Sequence, residues 1–325
     1  MKKNILIILT GGTIGMKESG NLGVVPSNEL VDFLKQFPQL ISVANVDVLE
    51  FLNVPSPHMT PDTMLELAKL IDCKGASYDG VVITHGTDTL EETAFLCDLV
   101  LTTRKPIVFT AAMRSGSELG LDGPRNIIDA VRVASHHESA DKGVLVVMND
   151  EIHTARDVVK SDTGKIDSFT SPGYGPLGFV DPDIVVYHHA TLYRENVWTE
   201  ELDTRVDLIK AVAGMDGRHI DASVQSGARA IVIEAMGRGN LPLEPLPSIK
   251  AALDKGILVV IATRAVTGRV LPEYGYEGGG KHLQDMGALL AGDLQGLKVR
   301  LKLMALFGKY EDAETVRRFF LQTRD

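Results

Sequence analysis

At 325 residues the chain exceeds the size at which a single hydrophobic core stops growing, so two domains are expected. Hydrophobic residues at 44% and charged residues at 23% exclude a disordered or fibrous chain, and a net charge of −10 with scattered Lys and Arg argues against a nucleic-acid partner. No run of about 18 apolar residues is present to span a membrane, and Cys73 and Cys97, without C-x-x-C spacing, read as free, buried thiols.

In chain order, Met1-Lys2-Lys3 followed by the apolar run 5–9 superficially resembles a secretory signal. The run breaks at Thr10-Gly11-Gly12 without an A-x-A-like cleavage site, so it reads as a buried first strand of a cytoplasmic protein. Thr60 can cap a helix with Pro61 at its first position, and Met64, Leu67, Ala68 and Ile71 recur at helical spacing. The β-branched runs 81–84, 107–110 and 144–148 join the first as strands of a mainly parallel sheet flanked by helices. A polar, aperiodic stretch at 191–212 marks a linker between a large N-terminal domain, 1–190, and a smaller C-terminal α/β domain, 213–325. The second series predicts a strand at 230–235, a helix after Pro247 through Lys255, a strand at 257–262, and helices at 297–307 and 313–321. No fixed-period repeat suggests a solenoid or propeller.

Open α/β sheets bind ligands beyond the carboxyl ends of their strands, so the residues just after each strand matter most. After the first comes Thr10-Gly11-Gly12-Thr13-Ile14-Gly15, where glycines let the backbone approach a ligand closely, without the G-x-G-x-x-G fingerprint or the Walker lysine. After 81–84 comes His85-Gly86-Thr87-Asp88-Thr89. A purely structural reading makes Thr87 or Asp88 a helix cap ahead of Glu91-Glu92, and capping does not preclude catalysis. Adjacent histidines at 136–137 and 188–189 point apart and lack metal-ligand spacing, so no metal site is indicated.

Together, T-G-G-T-I at 10–14 and H-G-T-D-T at 85–89 resemble the two signatures of the bacterial-type L-asparaginase family. The resemblance continues through Ser56, Ala111-Ala112-Met113-Arg114, Met148-Asn149-Asp150, Ala155-Arg156-Asp157 with Lys160, 171–178, and 237–240, and so covers nearly the whole chain. It implies release of ammonia from asparagine, with glutamine as a minor substrate, no cofactor and no metal, in a homotetramer of close dimers with sites at subunit interfaces. It implies Thr13 as the acylated nucleophile and Thr87, Asp88 and Lys160 as the second catalytic group. A threonine hydroxyl needs a base to become a nucleophile, and a desolvated lysine held by a carboxylate meets that need.

The resemblance further implies that Ser56, Thr87, Asp88, Ala111, Asn240, Tyr274, Tyr276 and Glu277 bind substrate, with Ser56 on the α-carboxylate and Asp88 on the α-amino group. Without it, Ser56 before Pro57 is an ordinary turn residue. Residues 274–281 resemble the segment that a neighbouring subunit contributes. In one departure, the family's loop tyrosine is absent from 15–27, Val24 standing at its place, so either Lys160, a water or a neighbour's Tyr274 or Tyr276 activates Thr13, or activity is reduced. Two other readings compete: the asparaginase-like subunit of a tRNA-dependent amidotransferase, which carries an extra N-terminal domain, and a non-catalytic asparagine sensor. Retention of all four catalytic residues favours an enzyme.

Overall fold

The computed structural model describes residues 2–12, 16–18, 24–26, 38–191 and 194–322. The chain divides into two compact units, Met1–Asn196 and Val197–Asp325. In the first, β1 (Asn4–Gly11), β2 (Met16–Glu18) and β3 (Val24–Pro26) precede α1 (Pro38–Val43), β4 (Asn45–Val54) and α2 (Pro61–Gly75). Then follow β5 (Gly80–Thr84), α3 (Leu90–Val100), β6 (Ile107–Thr110), α4 (Gly123–Ser135), β7 (Val144–Met148) and β8 (Glu151–Thr154). Four short strands complete the unit: β9 (Val159–Lys160), β10 (Phe169–Thr170), β11 (Gly178–Val180) and β12 (Val185–Tyr187).

The main sheet has the order β12-β11-β8-β7-β6-β5-β1-β4, parallel from β4 to β7 and antiparallel from β7 to β12. Strands β5, β6 and β7 are buried along their whole length, as apolar strands covered by helices on both faces must be. The apolar opening 5–9 lies within β1, buried and paired on both sides, with β4 and β5, so its hydrophobicity is that of an interior strand. On one face Ile127, Ala130, Val131 and Ala134 of α4 pack against Ile5, Ile7, Val82 and Val108. Direction reverses at Asn149 and Asp150, whose positive φ of 49° and 68° form a two-residue hairpin turn between β7 and β8. Of the two thiols, Cys97 is buried, and burial pushes its ionisation up; Cys73 is exposed, off the α2 stripe of Met64, Leu67, Ala68 and Ile71.

The second unit contains β13 (Val206–Lys210), α5 (Arg218–Gln225), β14 (Ala230–Ala235), α6 (Leu246–Asp254), β15 (Leu258–Thr263), α7 (Gly280–Asp285), β16 (Leu289–Leu290), α8 (Gly296–Lys309) and α9 (Ala313–Gln322). Its four strands are parallel in the order β13-β14-β15-β16, around a core that includes Ile220, Ile231, Ile233, Ile249 and Ile261. Strand β13 corrects the reading of 191–212 as linker throughout: its inner residue Val206 is buried, but five residues are too few for alternation to stand out beside the charged Asp207 and Lys210. The division falls inside that stretch, at Asn196 and Val197. Among the described residues, no helix is long and apolar enough to cross a membrane.

Candidate active site

The chain leaves β1 for β4 on one side and then returns to β5 on the other, so the sheet changes winding direction at β1. A crevice beyond the carboxyl ends of the strands is expected at such a point. The residues that arrive there are Gly11 at the end of β1 and Gly12 just beyond it, Ser56 after β4, His85 to Thr89 after β5 and Ala111 after β6. Two glycines set how closely the first three approach. Gly11 has φ +100°, and a Cβ there would lie 2.5 Å from the Val54 nitrogen; Gly12 has φ +85°, and a Cβ there would lie 2.4 Å from the Gly86 nitrogen. Any side chain at either position would push backbone from backbone.

Buried Ser56 is tied to the β5 exit twice. Its Oγ accepts the Asp88 N–H at 3.1 Å, and its carbonyl accepts the Thr89 hydroxyl at 2.8 Å. Lys160 arrives on β9, paired with Phe169 of β10. Its Nζ lies 2.6 Å from Asp88 Oδ1 and 2.9 Å from buried Thr87 Oγ1, bridging residues 72 and 73 positions away in the chain. The lysine side chain is 15% exposed and that of Asp88 57%, so the pair is sheltered on the lysine side and open on the carboxylate side. Glu91, in the first turn of α3, faces the Lys160 N–H at 3.5 Å.

His85 belongs to the scaffold of this cluster. It is fully buried, its Nδ1 donates to the Gly86 carbonyl at 2.8 Å, and Nε2 lies 3.0 Å from Thr93 Oγ1. Burial lowers its pKa to about 4, the bond to Gly86 opposing only in part, so the ring is neutral at pH 7 and holds the turn that carries Thr87. Ala111 is also buried: its N–H points at Met148 Sδ at 3.2 Å, and its carbonyl accepts Asn126 Nδ2 at 3.0 Å.

Ser56, Thr87, Asp88 and Lys160 are thus brought together in the first unit, with Ala111 at the next strand exit. Asn240, Tyr274, Tyr276 and Glu277 lie in the second unit, where the Leu241 N–H bonds the Gly278 carbonyl at 2.9 Å and joins their two segments. Tyr274 and Tyr276 are exposed, with ring centroids 5.7 Å apart. Thr13 and most of the loop 15–27 lie outside the described residues, and Val24 is described only as part of the backbone of β3. The reading of Thr87 or Asp88 as a cap gives way to Thr89, which occupies the N-cap position of α3 without capping it. Sequence reasoning passed over Thr89, Glu91 and Asn126. The only signal for Thr89 was its place in the H-G-T-D-T string, and partners distant in the chain decide what the other two touch.

A doubly wound α/β unit with an amine, a hydroxyl and a carboxylate converging at its switch point has the make-up of an enzyme of nucleophilic or acid–base chemistry. The chain belongs to the asparaginase family: residues 4–192 match "Asparaginase, N-terminal" and residues 205–320 match "Glutaminase/Asparaginase C-terminal domain". It is 40% identical over 326 residues to the "Probable L-asparaginase" of Deinococcus radiodurans, covering 98% of this chain and 97% of the relative. To the "L-asparaginase" of Bacillus licheniformis it is 35% identical, covering 96% and 98%. To the "Glutaminase-asparaginase" of Pseudomonas aeruginosa it is 32% identical, covering 98% and 90%.

Proposed function

We propose that this chain is an L-asparaginase of the cytoplasm, hydrolysing asparagine to aspartate and ammonia through a threonine acyl-enzyme, with glutamine as a minor substrate. The observation that carries the reading is Lys160 Nζ between Thr87 Oγ1 and Asp88 Oδ1, at a strand exit of a chain belonging to this family. In the first step Thr13 attacks the side-chain amide carbon, the C–N bond breaks and the nitrogen leaves as ammonia with the threonine proton. In the second, water attacks the β-aspartyl ester and returns a proton to Thr13. Thr87, Lys160 and Asp88 move the proton, Asp88 balancing the charge on the lysine as that proton comes and goes.

Recognition follows from the same contacts. Ser56 Oγ accepts the Asp88 N–H, which leaves its own O–H to donate to the α-carboxylate, and the exposed side of Asp88 offers an oxygen to the α-ammonium. A free amino acid satisfies both; an amide within a protein chain satisfies neither. Ala111, Asn240 and Glu277 are further substrate-binding positions in this reading. The active assembly is a homotetramer of close dimers in which a neighbour's residues 274–281 complete each pocket, Tyr274 or Tyr276 supplying the phenol that the loop at 15–27 lacks.

Ammonia release from free asparagine tests the reading. Turnover with an acyl adduct on Thr13 in acid-quenched enzyme is the expected result, and an adduct on Thr87 would exchange the two threonines' roles. Heat stabilisation by asparagine without ammonia would make the protein a sensor instead. Full activity in a monomer would remove the shared pocket.

A further inference from the structure

Thr89 stands where a helix usually takes a side-chain cap. At an N-cap the hydroxyl of Ser or Thr accepts an N–H from the second or third helical residue. Thr89 makes no such bond. Its hydroxyl donates instead to the Ser56 carbonyl, 33 positions earlier in the chain, at 2.8 Å. Its own carbonyl accepts both the N–H of Thr93, at 3.0 Å, and the hydroxyl of Thr93, at 3.1 Å, so the residue is fixed from the helix side. Ser56 is consequently held at three points: its carbonyl by Thr89, its Oγ by the Asp88 N–H, and its Cβ against Gly86, where an added Cβ would come within 2.6 Å.

We infer that Thr89 is a positioning residue for the substrate's α-carboxylate. It forgoes its local role as a cap and holds the turn that presents the Ser56 hydroxyl. The inference rests on the asparaginase reading and deepens it. Removing the Thr89 hydroxyl frees the Ser56 turn to shift while Thr87, Asp88 and Lys160 keep their mutual bonds, which do not involve it. Ser56 meets the carboxylate and not the reacting amide, so the loss falls on binding rather than on the chemical step.

The test uses the full-length protein with Thr89→Val, close in shape but without the hydroxyl, and Thr89→Ser, which restores it. Ammonia release is followed against asparagine concentration, and aspartate binding is followed by calorimetry. For Thr89→Val we expect KM and the aspartate Kd to rise about tenfold, with kcat within about threefold of the unaltered protein. Thr89→Ser returns both constants to near their starting values. Should valine disturb folding, Thr89→Ala is read in the same way. A fall in kcat at unchanged KM, or a serine variant no better than valine, overturns the inference, because a merely structural threonine would behave so. If the unaltered protein neither releases ammonia from asparagine nor binds aspartate, the asparaginase reading falls and takes this one with it. If it does both and Thr89→Val matches it, only the present inference falls.

Discussion

Helices α2 and α3 pack side by side and both begin on a threonine, but they begin for different reasons. Thr60 is extended, with φ −110° and ψ 158°, accepts the Thr63 N–H on its hydroxyl at 3.2 Å, and is followed by Pro61, whose missing N–H leaves no donor to satisfy. Everything that starts α2 lies within four residues. Thr89 has φ −120° and ψ 15°, and its hydroxyl goes to Ser56. The start of α3 depends on the loops around it. Local preference is satisfied at the covering helix and set aside at the helix that faces the site, as expected where function competes with stability.

The largest effect expected from this contrast is kinetic. Lys160→Met removes the group joining Thr87 to Asp88, and we expect ammonia release to fall by at least ~10²-fold, typical of the loss of a general acid or base. Changes at Thr60 should leave the rate untouched. Near-native turnover by Lys160→Met would remove the lysine from the mechanism. Asp88→Asn should be strongly non-additive with it, because the two act as one unit.

A second test concerns His85, which holds the start of α3 from within through Gly86 and Thr93. Its pKa is lowered by burial from 6.5 to about 4, so between these values the unfolded chain binds the proton more readily than the folded one. Stability from this residue is complete above pH 6.5 and is lost as the pH falls toward 4, by about 3 kcal/mol. Asp129 on α4 acts in the opposite sense: burial raises its pKa to about 6, so its contribution declines as pH rises from 3.8. The two windows overlap, so the informative quantity is the stability difference between the unaltered protein and His85→Gln, measured by denaturant at several pH values. That difference should shrink on acidification; a constant gap would mean that the ring is not held neutral.

Legibility in the sequence divides along the same line. The cap at Thr60, the parallel strands and the helices of the second unit follow from propensity and period, and they were readable because each signal is confined to a few neighbouring residues. Strand β13 was missed because five residues with charges at two positions do not display a period. The antiparallel extension through β8, β11 and β12 was missed because strands of three or four residues carry little pattern, although Asn149-Asp150 is turn chemistry. At the site, the types of residue were legible and their contacts were not. The sequence holds Lys160 and Thr87 but not the sheet that brings them to 2.9 Å, and nothing local indicates that Thr89 would donate to Ser56 rather than cap its own helix.

A smaller effect isolates the local half of the comparison. Thr60→Ala removes the cap of α2 and should lower stability by about 1 kcal/mol, typical of losing a side-chain cap, with kcat and KM unchanged. A change in KM would show that α2 communicates with the site and would weaken the contrast with Thr89. Thr60→Asp, which keeps an acceptor at the same position, should recover most of the loss.

The smallest effect expected separates hydrogen bonding from charge at the same helix start. Asp62 lies exposed in the first turn of α2, where the unpaired N–H groups of a helix present a partial positive charge. Asp62→Asn keeps the size and removes the charge, so at low ionic strength it should destabilise the unit by roughly 0.3 kcal/mol, the lower end for an exposed residue near a helix end. Because the group is solvent-exposed, salt should erase the difference: at 1 M the screening length is about 3 Å, shorter than the distance over which the charge acts. Thermal melts of the two proteins at low and high salt provide the measurement. A difference that persists at high salt would mean that Asp62 contributes a specific hydrogen bond. In the first turn of α3 the acids are not equivalent to Asp62, since Glu91 is buried and faces the Lys160 backbone. Replacing Glu91 by Gln should therefore give a stability change that salt does not erase, which would extend the contrast between the two helix starts from their threonines to their carboxylates.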